Sequence, residues 1–314
     1  MTTAASAPSP DSPGALNWAL LTFLGVVWGS AFMGQSIALQ GFEPVTMAAL
    51  RCLIATAALL PVAILMGQGP RPTLDRGGPR GLLFAALIGA GATAVPFLLL
   101  AWGLQHVPSA FAGVAMGAVP LLILPLVAVF SPEEGIGPRR IMGVILGFFG
   151  LVALIGPPAF AVADSPLGLW GRLACLGAAM SYAVGSVLTR RAPAMPPVGF
   201  AALTMVAAAA LLTPAALLRE GWPQTWSLGP TIAIVMTGLL PTGLAAAIRI
   251  RIITTAGSLF MSLVSYMVPL WSVIFGIALL GEDPGPGLFT GLALILGGIA
   301  LSQSRAMAAA IRRR

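Results

Sequence analysis

Residues 257–283 read GSLFMSLVSYMVPLWSVIFGIALLGED and residues 108–134 read PSAFAGVAMGAVPLLILPLVAVFSPEE. Neither stretch carries a charge before its closing acidic pair, Glu282-Asp283 in the first and Glu133-Glu134 in the second. Each can cross a bilayer core of about 30 Å, which takes about 20 mainly apolar residues in helical form. At an offset of 149 residues they also match each other: Ser109 falls on Ser258, Pro120 on Pro269, and one acidic pair on the other. The two stretches read as membrane-spanning helices from a unit that occurs twice.

The rest of the chain has the same character. Of its 314 residues 58% are hydrophobic and 8% charged, against about 25% charged in a soluble domain. Such a surface cannot face water. Apolar runs predict ten spans, near Leu16–Ile37, Pro44–Met66, Gly81–Gln105, Pro108–Phe130, Ile141–Gly156, Leu167–Thr189, Pro197–Leu218, Pro230–Ile252, Ala256–Leu280 and Gly287–Ser302. The fold class is therefore an all-α polytopic membrane protein. Residues 1–15, rich in Ala, Ser and Pro and free of basic side chains, read as a disordered cytoplasmic tail rather than a signal peptide. Two five-span units follow at 16–156 and 167–304, joined by an outer loop at 157–166, and a basic tail at 305–314 closes the chain.

All 16 basic residues are arginine, and cytoplasmic loops of membrane proteins hold the excess of basic residues. With both termini inside, the inner segments hold Arg71, Arg76, Arg80, Arg139, Arg140, Arg190, Arg191, Arg249, Arg251, Arg305, Arg312, Arg313 and Arg314. The outer loops hold Arg219 alone. That asymmetry predicts an even number of spans, in the bacterial inner membrane, with both termini cytoplasmic. The net charge of +7 then faces anionic lipid heads and does not call for nucleic acid. The chain has one His, no HExxH, no phosphate-binding loop and no paired Asp or Glu within a span. The chemistry of an ATP-driven pump or an intramembrane metalloprotease is missing, so neither enzymatic activity nor a metal or cofactor is expected. Cys52 and Cys175 lie in apolar spans and read as small buried hydrophobes.

The repeat extends over the whole chain. Offset 152 sets Leu24-Gly25 on Leu176-Gly177 and Pro44 on Pro196; offset 149 sets Gly89 on Gly238 and Thr93 on Thr242; offset 148 sets Gly143 and Gly150 on Gly291 and Gly298. A five-span unit crosses an odd number of times, so its second copy must insert upside down. This predicts two inverted five-helix repeats around a central cavity whose two mouths open alternately.

These residues resemble the drug/metabolite transporter superfamily and, within it, the EamA-type ten-helix exporters. The resemblance covers nearly all of residues 16–304. It rests on Trp28-Gly29-Ser30-Ala31-Phe32, Pro44 followed by Arg51, Ala110 to Pro120, and Pro269 to Glu282. It implies export or exchange of small metabolites, amino acids and amphipathic drugs among them. The implied path is a cavity lined by helices one, three, four, six, eight and nine. Some members export aromatic amino acids.

The residues themselves offer a candidate cavity wall. Ser258, Ser262, Ser265, Pro269 and Ser272 recur at helical spacing on one face of span nine, with close helix packing as the plainer alternative. Tyr182 and Tyr266 lie deep in their spans instead of in the interfacial belt. Tyr182 is one turn from Ser186, and hydroxyls at that depth need a partner, either a helix or a ligand. Tyr182 corresponds to Ser30 and Tyr266 to Gly117 across the repeat, a local break of symmetry suited to an asymmetric substrate. Trp28, with Gln35 two turns on, joins Thr93, Trp102 and His106 in a wall fit for an amphipathic or aromatic solute. His106 is the one side chain that ordinarily titrates near neutrality, though its place between spans three and four reads first as that of an exposed loop residue.

Arg51 and Arg172 lie about 10 Å inside the outer ends of their spans. They read as structural charges that snorkel outward, with Glu43 as a partner for Arg51 and a substrate carboxylate as the sharper alternative. Pro96, Pro120, Pro241 and Pro269 are candidate hinges in the cavity-lining helices. Gly143, Gly147, Gly150, Gly291, Gly297 and Gly298 read as close-packing contacts, within each half or at a homodimer face. The chain as a whole reads as a secondary transporter working by alternating access, partnered by a small-molecule substrate and the lipid bilayer. A passive channel is the rival, and it would show rings of like polar groups.

Overall fold

The computed structural model describes residues 14–130, 138–155, 166–285 and 287–312. Among them every regular element is helical. The order is α1 (Ala15–Ala38), α2 (Pro44–Leu65), α3 (Pro70–Gly89), α4 (Val95–Gly103), α5 (Ser109–Gly117), α6 (Val119–Phe130) and α7 (Pro138–Ile155). Then follow α8 (Pro166–Arg191), α9 (Pro197–Arg219), α10 (Leu228–Gly238), α11 (Ala245–Ser262), α12 (Val264–Leu280) and α13 (Gly287–Arg312). Glu133-Glu134, most of the loop at 157–166 and most of the N-terminal tail lie outside the described residues.

Five stretches are long and apolar enough to cross a membrane: Ala15–Ala38, Pro44–Leu65, Pro70–Gly103, Leu167–Arg191 and Pro197–Arg219. Shorter apolar helices at Ser109–Ile123, Ile141–Leu154, Leu228–Leu244, Val264–Leu280 and Gly287–Leu301 occupy the remaining predicted segments. Large apolar side chains stand bare on the outside, among them Leu65 at 86%, Leu218 at 89% and Phe148 at 61% exposure. In water that would be an association surface; in lipid it costs nothing.

The helices depart from the expected spans where local chemistry requires it. α3 begins at Pro70, well before Gly81, as a charged first segment that turns at Gly78, whose φ of 59° suits glycine. α11 runs unbroken through Arg249 and Arg251 and on across residues 253–255, where the sequence predicts a short loop, because residues 245–256 hold no proline or glycine. The break comes instead at Leu263, between α11 and α12. The helix of span four likewise stops at Ala118, and Pro120 opens α6 just beyond it, whereas Pro269 lies inside α12. α13 continues through the alanine-rich tail to Arg312, as strong helix formers favour.

Two π-helical turns, at Ala90–Ala94 and Leu239–Leu244, interrupt spans three and eight. They are 149 residues apart, the offset at which Thr93 meets Thr242. Each has a proline within reach: Pro96 and Pro241 lack the N–H that the carbonyl four residues back would accept, which loosens the ladder there. Thr242 Oγ1 partly covers the freed Thr237 carbonyl at 3.4 Å.

Packing pairs three elements with their repeat counterparts: α2 with α9, α5 with α12, and α7 with α13. Contacts of α1 with α11 are mirrored by α8 with α4, and those of α2 with α10 by α9 with α3. α7 and α13 meet through Gly150, Gly291 and Gly298, whose neighbours are each other's backbones. These glycines therefore join the two copies, rather than holding each half to itself. Buried Phe32, Leu100, Phe111, Val114, Val273 and Ile295 form the largest apolar cluster, where α1, α4, α5, α12 and α13 converge.

The helix ends are tied across the repeat as well. The first N–H groups of a helix have no partner within it. Those of α2 at Val45 and Thr46 donate to the Glu220 carboxylate at 3.0 and 2.7 Å. At the other end of the same pair, Val198 N–H of α9 donates to Gln68 Oε1 at 3.1 Å. Gln68 and Glu220 are 152 residues apart, the offset of Pro44 and Pro196. A third cap joins α5 to α12: Ser109 and Ala110 N–H donate to Glu282 at 2.7 and 2.9 Å. Gly281, at φ 65°, turns the chain so that Glu282 can return there.

Candidate functional site

Arg51 interrupts an otherwise apolar helix. On α2 it is flanked by the buried small residues Ala48, Ala49, Cys52 and Ala55. It is 7% exposed, and its guanidinium lies 3.9 Å from the centroid of the Phe97 ring on α4. Nε and Nη1 are buried and have no hydrogen-bond partner. Glu43 is exposed, at the N-cap of α2. The expected outward reach to Glu43 is therefore not what the fold makes: α2 packs on α9, α10 and α4, and the charge turns inward onto an aromatic face. Burying a charge costs several kcal/mol, and a cation–π contact returns about 2. The described residues leave Arg51 undercompensated.

Tyr182 lies against the same cluster. Its half-buried side chain packs on the group formed by Cys52, Ala94 and Phe97, and also on the main core, so it bridges the two. It is also within electrostatic reach of Arg51. Ser186, one turn along α8, gives its hydroxyl to the Tyr182 carbonyl at 2.9 Å.

Among the described residues five further side chains hold a buried polar atom without a partner: Gln35, Thr56, Ser109, Thr213 and Tyr266. Gln35 on α1 is 1% exposed; its Nε2 donates to the Ala31 carbonyl at 3.1 Å, while Oε1 has no partner. Tyr266 on α12 packs on the main core, and its buried hydroxyl has no partner. Each such group left unmet costs about 1–3 kcal/mol, so their presence marks an interior shaped for something besides stability.

Other predicted residues have structural occupations. Trp28 Nε1 donates to the Pro241 carbonyl at 2.8 Å, tying α1 to the second π turn. Thr93 is buried within the first π turn. Ser272 donates to the Pro269 carbonyl at 2.9 Å and fits against Gly113, so it packs helices and lines no opening. Ser265 is half-buried beyond the Leu263 break, which splits the serine row between two helices. The side chains of Ser258 and Ser262 lie outside the described residues. Trp102 and His106 stack edge to face at 4.7 Å, against Gly171 at the start of α8, and Arg172 lies 5.9 Å from the Phe111 ring. This group is about 15 Å along α8 from Tyr182. Pro96 is fully buried. A recess of about 580 Å³ lies elsewhere, among Gly77, Pro79, Arg80, Phe84, Arg191 and Pro193.

The fold also uses residues that carry no mark in the sequence. Phe97 is an ordinary apolar residue of an apolar span until α4 sets it under Arg51. Glu220 and Gln68 are detectable, since their spacing equals the repeat offset, but only once the offset is applied to polar residues outside the spans.

An all-helical bundle with a lipid-facing wall, two related copies and a set of unmet polar groups inside defines a polytopic membrane transporter class. The chain belongs to the EamA-like transporter family, which matches twice, over residues 16–156 and 169–303. It is similar to the uncharacterized inner membrane transporter YedA of Escherichia coli K12, 30% identical over 82% of this chain and 81% of that one. It is likewise 30% identical to the aromatic amino acid exporter YddG of Ancylobacter novellus, over 63% of this chain and 68% of that one. A crystal structure with 26% sequence identity superposes with a TM-score of 0.63, covering 92% of this chain and 97% of the other. The family and these relatives are transporters, not enzymes. The protein is a multi-pass membrane transporter of the bacterial inner-membrane type.

Proposed function

We propose that the protein is a secondary transporter that exports or exchanges small amphipathic metabolites, amino acids among them, by alternating access. The observation that carries this is the reciprocal cap: Gln68, shortly beyond α2, caps α9, and its counterpart Glu220, beyond α9, caps α2. Such reciprocity is what two copies in opposite orientation produce about an axis in the membrane plane. On this reading the ten apolar segments all cross, and the arginine distribution sets both termini in the cytoplasm. Arg51, Gln35, Tyr182 and Tyr266 come from both copies, so a site among them falls at the repeat interface, where carriers of this design bind substrate.

YddG is named an aromatic amino acid exporter, which makes aromatic amino acids the first substrates to try here. Purified protein in liposomes, screened over amino acids and lipophilic cations, is expected to give flux that saturates with concentration. Flux rising linearly with concentration for every solute would favour a channel and overturn this reading.

A further inference from the structure

We infer that Arg51 is an anion-binding residue which, given the transporter reading above, receives the carboxylate of the transported solute, with Phe97 and Tyr182 beside it for the solute's apolar part. Arg51 is buried to nine-tenths and more, yet Nε and Nη1 bond to nothing. A guanidinium presents donors in a planar fork that matches the two oxygens of a carboxylate. The guanidinium lies 3.9 Å from the centroid of the Phe97 ring, and Nε and Nη1 are enclosed, so a ligand reaches them only when the surrounding helices part.

The surroundings specify the kind of anion. The residues flanking Arg51 on α2 and those packed with Phe97 are uncharged: Ala48, Ala49, Cys52, Ala94 and their apolar neighbours. A single buried positive charge balances a single negative one. A phosphate, with about two negative charges near neutral pH, would bring an excess that no second cation here offsets. Small side chains on α2, α9 and the first π turn leave the aromatic faces of Phe97 and Tyr182 as the recognisable apolar surface. The chemistry that fits is a monocarboxylate bearing an apolar, preferably aromatic, group.

The test uses purified full-length protein in detergent, with thermal stabilisation and equilibrium binding measured for a panel of probes. L-phenylalanine, 3-phenylpropionate and L-leucine carry the carboxylate; phenylalaninamide and phenethylamine lack it; inorganic phosphate stands apart. Wild type is expected to bind the acids and to bind the amide and the amine about 10- to 100-fold more weakly, as loss of a charge-assisted pair implies. In Arg51→Gln that preference disappears. Arg51→Lys, which keeps the charge without the fork, retains the preference with affinity lowered by several-fold, and serves if the glutamine variant does not fold.

Failure of every acid to bind, equal binding of acid and amide by wild type, or stabilisation by phosphate in place of the acids each overturns the inference. So does a folded Arg51→Gln or Arg51→Lys protein with wild-type affinity for the acids. Flux separates this result from the transporter reading. Carboxylate binding through Arg51 without saturable flux keeps the inference and removes the carrier. Saturable flux of solutes that ignore position 51 does the reverse.

Discussion

Tyr266 ends in a hydroxyl that nothing in its surroundings meets. Removing an unmet polar group costs the fold little or relieves it, so Tyr266→Phe should unfold at the same temperature or slightly higher. If the hydroxyl serves substrate, transport affinity should fall while folded yield holds. Tyr182→Phe and Ser262→Ala make the companion set, and unchanged apparent affinity and rate in all three would remove these side chains from the cavity. Trp28 is the opposite case, because its indole N–H already has the Pro241 carbonyl at 2.8 Å. Trp28→Phe should lower stability by about 1 kcal/mol, read as a lower unfolding temperature; an unchanged value would mean the bond contributes nothing. Deep tyrosines and an intramembrane arginine were legible in the sequence, because polarity in an apolar span is conspicuous. The direction in which Arg51 points was not, since an outward reach to Glu43 and an inward one to Phe97 differ only by packing that the sequence does not spell out.

The helix ends deserve equal weight in the energetics. Glu282 caps α5 from α12 through two hydrogen bonds, and loss of such a cap costs about 1–2 kcal/mol. Glu282→Ala should therefore unfold earlier, with Glu282→Gln between it and wild type; equal stability of all three would show that the cap is idle. The glycines of α7 and α13 allow a sharper test. A Cβ at Gly298 would sit 2.6 Å from the Gly143 carbonyl oxygen, backbone that cannot move aside. Gly298→Ala should cut folded yield several-fold, whereas Gly297→Ala, whose nearest neighbour is a leucine methyl at 3.5 Å, should be tolerated. The apolar segments were readable from composition, and glycine periodicity indicated close packing. The break at Leu263 and the π turns were not, because a helix end inside a membrane protein is set by which neighbour satisfies its backbone, and several nearby residues could have ended these helices.

Two copies of one unit, packed through α2 with α9, α5 with α12 and α7 with α13, account for the symmetry of the bundle, and five spans in each would set them in opposite orientation, as the proposed alternating access requires. The topology can be checked directly. Reporters fused after Arg191 and at the C-terminus should lie in the cytoplasm, and tags near Asp164 and Glu282 should be reached from outside; a sealed tag near Asp164 would break the ten-span arrangement. The most direct test of the whole account is counterflow in proteoliposomes, using whichever solute the transport screen identifies. Labelled solute outside should accumulate transiently when the vesicles are loaded with the same unlabelled solute, because a carrier returns faster when occupied. Equal uptake into loaded and empty vesicles, with no transient accumulation, would mean a steady open path and would contradict alternating access.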